Sequence, residues 1–256
     1  MLAKARVHRR GVTLTAALLD SPNSEFTAGI HRLADVLRTT GPNGASRVTT
    51  FMAAGAPGAR SDVALNIALA MASNAKRVLV VDADLGRREL SNRVLGAHGD
   101  GLLDVVDKRV ELDAALIGEP RTGLMILQAG YAPADLTDRP VSPGAVVEVL
   151  DRAQGYSIVV DTPGDRSDPL GAALAGAADA IVIVVTAEQT RARDLAEFLR
   201  NTDPFGGKLR GVVFVSKPNG IAQPPTLKAC TPLPSPFRKK EPGILPGQRE
   251  ESGSGT

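Results

Sequence analysis

Six short apolar runs recur between residues 47 and 218, and stretches of helical period separate most of them. The runs are VTTFMA, RVLVVDAD, LMILQA, YSIVVDTP, AIVIVV and GVVFVS. They are nearly continuous and rich in β-branched residues, so the pattern predicts strands covered on both faces rather than half-exposed ones. Between them VALNIALAMA, SPGAVVEVLDRA, PLGAALAGA and RARDLAEFLRNT repeat their apolar positions at helical spacing. Alternation of this kind predicts an α/β domain built on a doubly wound, mostly parallel sheet. Crossover handedness then places ligands beyond the carboxyl ends of the strands.

Upstream, SPNSEFTAGIHRLADVLRTT predicts a helix within residues 23–40. Ser24 can cap it, Glu25 suits the positive end of its dipole, and Ile30, Leu33, Val36 and Leu37 share one face. Residues 1–22 read as a basic, disordered arm. Its start imitates the charged and apolar regions of a signal peptide, but the apolar part carries two threonines, ends at Asp20 and lacks a small-x-small cleavage site. After Pro218 the composition turns to Pro, Lys, Gly and Ser, which predicts a disordered tail over 218–256, with a proline-rich docking peptide as the second reading. The expected organisation is one domain, 23–217, between two tails.

Composition narrows the class. The chain has 256 residues, 43% of them hydrophobic but only 3% aromatic, so the core must be built from Ala, Val, Leu and Ile. A net charge of +2 gives no argument for nucleic acid. The single cysteine, Cys230, excludes an internal disulfide framework and fits a reducing, cytoplasmic setting. No apolar run approaches the roughly 20 residues of a spanning helix.

Candidate chemistry gathers at strand ends. GAPGARSD, residues 55–62, lies between the first strand and a helix, where a phosphate-binding P-loop of pattern G-x-x-x-x-G-K-[ST] belongs. Gly55 and Gly58 belong to the expected nucleotide-binding loop, Ser61 and Asp62 open the helix, Arg60 stands at the lysine position and Ala59 at the preceding glycine. The second strand ends in VLVVDADL and a later one in IVVDTPG, bringing Asp82, Asp84 and Asp161 to the same edge. Carboxylates after apolar runs are costly to bury without partners, and Mg²⁺ held by Ser61 and these carboxylates would supply one. The plainer reading is that Asp82 and Asp161 cap helices or bond loop amides.

These segments resemble bacterial tyrosine kinases (BY-kinases). VLVVDADLGRRELSNRVLGAHGDGLLDVV looks like the stretch running from their second Walker motif into a GLSDVL-like turn. ILQAGYAPADL, YSIVVDTPGD and SPNSEF are similar to three further motifs of that family in the same order. The resemblance covers roughly residues 21–217 and implies a P-loop NTPase-like fold within the ParA/MinD superfamily. It implies ATP and Mg²⁺ as ligands and a membrane-anchored polysaccharide co-polymerase-like partner, with a homo-oligomer as a further expectation. Carried across by position, Arg60 takes the phosphate-binding lysine's place and Ser61, Asp82 and Asp161 the metal side. Asp82 and Asp84 match the pair that activates the attacking hydroxyl, and Ser216 falls where relatives contact the base.

The departures concentrate on the phosphates. A guanidinium keeps the charge but is bulkier and planar, Ala59 adds a Cβ that a positive φ would strain, and Asp62 opposes a triphosphate. The tail carries no tyrosine, the only two being Tyr131 and Tyr156. In the first helix Ala28 and His31 occupy positions where the family carries arginines for ring assembly. These features point to weakened or lost catalysis, and leave open a non-catalytic scaffold of the same fold or a ParA/MinD-like positioning ATPase.

Overall fold

A computed structural model describes residues 13–39, 47–54, 59–73, 77–95, 99–130, 141–163, 168–187, 189–201, 207–216 and 226–231. In chain order the elements are β1 (Thr13–Leu14), α1 (Ala17–Asp20), α2 (Glu25–Thr39), β2 (Val48–Ala53), α3 (Arg60–Ala72), β3 (Val78–Asp82), β4 (Val94–Leu95), α4 (Leu102–Val106), α5 (Leu112–Ala115), β5 (Ile117–Gly118), β6 (Met125–Leu127), α6 (Pro143–Arg152), β7 (Ser157–Asp161), α7 (Pro169–Ala177), β8 (Ala180–Thr186), α8 (Ala192–Asn201), β9 (Leu209–Ser216) and β10 (Thr226–Thr231).

Eight strands form one sheet in the order β10-β9-β8-β2-β7-β3-β6-β5, and only its two outermost pairings, β10 with β9 and β5 with β6, are antiparallel. The six apolar runs supply the parallel strands. Their period of two feeds a separate core on each face. Val78, Val80, Val182 and Val184 pack with α2 and α3, whereas Leu79, Val81, Ile181 and Ile183 pack with α4, α6 and α7 on the other face.

Helix α3 explains the scarcity of aromatics. Every described residue in it except Asp62 is buried, because the sheet covers one side and α2 with the N-terminal segment cover the other. Small alanines let those layers close on it. Its one buried amide, Asn66, accepts from Leu18 N at 2.7 Å and donates to the Asp62 carbonyl at 2.7 Å. As expected, Ser24 caps α2, its Oγ accepting from Thr27 N at 3.2 Å, and Ile30, Leu33 and Leu37 are buried.

Two boundaries differ from the sequence reading. Residues 13–20, expected within a disordered arm, pair β1 antiparallel with β4 and bury Leu14 and Ala16 in the core. Six residues of the expected tail form β10 on the edge of β9, in the proline-free window between Pro225 and Pro232. An edge strand needs backbone pairing more than apolar side chains, so composition hides it.

Candidate functional site

The parallel strands β2, β7 and β3 lie side by side, and their pairing sets the geometry at their carboxyl ends. Asp161, the last residue of β7, stands in register between Phe51 of β2 and Asp82 at the end of β3. Helix α3 begins at this edge with Arg60. Asp82, Asp84 and Asp161 are all buried there, and so are Ala59, Arg60 and Ser61. The expected cluster therefore comes together, with a different pairing inside it.

Arg60 is 0% exposed and reaches two of the carboxylates. Its Nε donates to Asp161 Oδ1 at 2.5 Å and its Nη2 to Asp84 Oδ2 at 2.7 Å. The residue expected on the phosphates is thus tied to the groups expected on the metal. Burial works against the charged guanidinium, but the attraction and hydrogen bonds of Asp161 and Asp84 outweigh it, so the pKa of Arg60 is raised. Asp84 spends its other oxygen on Arg87 N at 3.1 Å.

Asp82 is held by the fold. Its Oδ2 accepts from Ser91 N at 2.8 Å and Ser91 Oγ at 2.6 Å, and its Oδ1 accepts from Asp84 N at 3.1 Å. Burial, with the neighbouring Asp161 charge, still pushes its carboxyl up to about 7, against the Ser91 hydrogen bonds. Burial also raises Asp161, against the pull of the Arg60 guanidinium. The two carboxyls stand side by side at the ends of β3 and β7, so they titrate together and both are raised.

Ser91 went unnoticed in the sequence because no periodicity marks it. It is itself anchored, Oγ accepting from Ala129 N at 2.9 Å. Behind it Gly101 approaches so closely that an added Cβ would lie 2.4 Å from both Gln128 O and Gly130 N. That position requires glycine. Thr186, whose Oγ1 accepts from Ala59 N at 3.2 Å, was also missed. The rule that found Asp82 and Asp161, a polar residue ending an apolar strand, could have found it.

The other expected site residues fall as follows. Asp62 pairs with Arg93 at 2.7 Å, and the β9 terminus Ser216, separated from β2 by β8, lies opposite Thr226. Ala59 has φ −95°, so its Cβ introduces no left-handed strain there. Gly55, Gly58 and Tyr131 lie outside the described residues.

Three polar atoms in this corner are buried without a hydrogen-bond partner: Arg60 Nη1, Ser61 Oγ and Asp161 Oδ2. Ser61's hydroxyl is near enough to Asp161 to lower its pKa, yet no well-formed bond joins them. Ser61 Oγ and Asp161 Oδ2 are oxygen donors of the type Mg²⁺ takes. The guanidinium bound to the same carboxylate and to Asp84 sets a positive charge beside any ion there, so the residues as arranged do not fit the metal. Among the described residues no group of three or more His, Cys, Asp or Glu side chains has metal-holding geometry. No described helix is long and apolar enough to cross a membrane.

No family profile matches the chain. It is 27% identical over 212 residues to EpsB of Ralstonia nicotianae, named a tyrosine-protein kinase, covering 81% of this chain and 27% of that one. It is 25% identical over 205 residues to the succinoglycan biosynthesis transport protein ExoP of Rhizobium meliloti, covering 78% and 26%. The septum site-determining protein MinD of Helicobacter pylori is 30% identical over 138 residues, covering 53% of this chain and 51% of that protein. The chain thus spans about a quarter of the length of EpsB and of ExoP. Among solved structures, the chimerical protein CapA2B2 superposes with a TM-score of 0.64 at 18% identity, covering 77% of this chain and 88% of that one. The VpsO kinase domain gives 0.60 at 22%, covering 76% and 96%. Cobyrinic acid a,c-diamide synthase of Mycobacterium smegmatis, solved with ADP and magnesium, gives 0.54 at 23%, covering 66% and 74%. The fold is that of the α/β P-loop proteins, and the chain's homologues are bacterial tyrosine kinases, with ParA- and MinD-type P-loop proteins as neighbours.

Proposed function

We propose that this chain is a BY-kinase-like component of polysaccharide assembly or export in which phosphoryl transfer is weakened or lost. It acts by contact with a membrane-anchored co-polymerase-like partner on the cytoplasmic side. The observation that carries this reading is the bonding of Arg60 to Asp84 and Asp161. Phosphoryl transfer on a P-loop depends on a cation at the phosphates, a metal on the carboxylates and a base. Here the cation is bonded to two of the carboxylates, while Asp82 is held by Ser91. ATP belongs to this reading as the ligand of the inherited site, bound more weakly than a lysine-bearing loop would bind it, while the Mg²⁺ position is taken by the Arg60 guanidinium.

One feature favours this reading over a self-phosphorylating kinase. The described tyrosine, Tyr156, is half-buried with the Arg77 guanidinium 4.4 Å from its ring centre. Mass spectrometry after incubation with ATP and Mg²⁺ is expected to find no phosphotyrosine on Tyr156. The deciding experiment compares ATP turnover by the wild type with that of the double variant Ala59→Gly, Arg60→Lys. Background turnover in the wild type, with any gain confined to the double variant, supports lost catalysis; wild-type turnover at the rate of ordinary kinases, about 1–100 per second, refutes it.

A further inference from the structure

We propose that Arg60 is a built-in cation, its guanidinium serving Asp84 and Asp161 as counter-ion in place of a divalent metal, so that the folded domain neither needs nor binds Mg²⁺ at this corner. The inference deepens the reading of an altered P-loop and rests on it.

Position makes the pairing informative. Arg60 is the first residue of a 13-residue helix, and the positive end of a helix dipole disfavours a cation. Burial disfavours it further. A fully buried arginine at that place is explained by the carboxylates it binds. The planar fork uses two different nitrogens for two carboxylates, one ending β7 and one in the loop after β3. Bridging carboxylates from separate elements is what a metal does; a lysine, as a single point charge, lacks the two-pronged reach.

The leftover atoms agree. Arg60 Nη1, Ser61 Oγ and Asp161 Oδ2 offer two donors and an acceptor, a set that suits a neutral water. A divalent ion in the same place would face the guanidinium across a short, poorly screened gap. The two cations are therefore alternatives. If the arginine leaves, Asp84 and Asp161 stand buried without their counter-ion, and a metal becomes favourable.

The test is Mn²⁺ binding by the full chain in metal-free buffer, followed by electron paramagnetic resonance, alongside thermal unfolding with and without millimolar Mg²⁺. Arg60→Gln removes the charge and keeps hydrogen-bonding capacity. Arg60→Lys keeps the charge but contacts one carboxylate at a time, and serves if the first variant does not fold. The wild type is expected to bind Mn²⁺ no more tightly than an Asp161→Asn control and to unfold at the same temperature with Mg²⁺. At least one Arg60 variant is expected to bind Mn²⁺ about tenfold more tightly or better, and to be stabilised by Mg²⁺. Wild-type Mn²⁺ binding that Asp161→Asn abolishes overturns the proposal, as does failure of every folded variant to gain affinity. Such binding without ATP turnover removes the built-in cation and leaves lost catalysis standing, whereas Mg²⁺-dependent wild-type turnover removes both.

Discussion

Glu119 and Asp161 are both carboxylates buried against an arginine, yet their surroundings differ in kind. Glu119 lies in the turn before β6, where Arg121 Nε, Thr122 N and Thr122 Oγ1 serve its two oxygens at 2.7–2.9 Å. Arg121 itself is half exposed. Burial raises the Glu119 pKa, but these donors more than reverse the effect and hold it below the ordinary value. At the sheet edge two of three buried carboxylates share one fully buried arginine, two carboxyls are pushed upward, and three polar atoms lack partners. A carboxylate that only braces a turn is surrounded until satisfied. A centre with more negative charge than its own partners answer carries the imprint of a ligand site, and in this chain one arginine answers part of it.

The comparison breaks most visibly at Arg60. Arg60→Ala leaves Asp84 and Asp161 buried without their cation and is expected to destabilise the domain by about 3–5 kcal/mol, read as a lower midpoint in chemical denaturation. A loss below about 1 kcal/mol would show that the arginine is not buried between them. The pH dependence should separate the two centres by sign. Asp82, with a folded pKa of about 7, holds a proton that the unfolded chain releases near pH 4, so its contribution to stability is full in acid and lost as pH rises through 7. Glu119, with a depressed folded pKa, contributes stability above the ordinary carboxylate range that disappears as pH falls through its folded value. Asp82→Asn is therefore expected to flatten the neutral limb of the stability profile, and Glu119→Gln the acid limb; the reverse assignment would contradict the account. The smallest effect belongs to Arg121→Ala, about 1 kcal/mol or less, because that arginine is solvated and Thr122 keeps two of Glu119's bonds.

Much of this was legible in the pattern. Apolar runs such as VLVVD and AIVIVV specify strands buried on both faces, and the aspartates that end two of them mark one sheet edge without any structure. What the pattern concealed is direction. A sequence places Arg60 at a loop position that normally faces phosphate, but cannot show that Nε and Nη2 reach carboxylates from β7 and the β3 loop, since those contacts span 101 and 24 residues. Ser91 escaped for the same reason, its partner Asp82 being fixed by tertiary packing rather than by periodicity. Residues 13–20 were lost because their two- and four-residue elements carry too few positions for a period to emerge, and β10 because an edge strand rests on backbone pairing rather than on an apolar run.

The direction of Arg60 is the central claim, and nuclear magnetic resonance of its Nε–H reports it most directly. The account predicts a slowly exchanging Arg60 Nε–H resonance at neutral pH that disappears or shifts in Asp161→Asn and stays in place when Mg²⁺ and ATP are added at millimolar concentration. A resonance indifferent to Asp161→Asn, or one that moves on addition of ATP as a new phosphate contact forms, would contradict it.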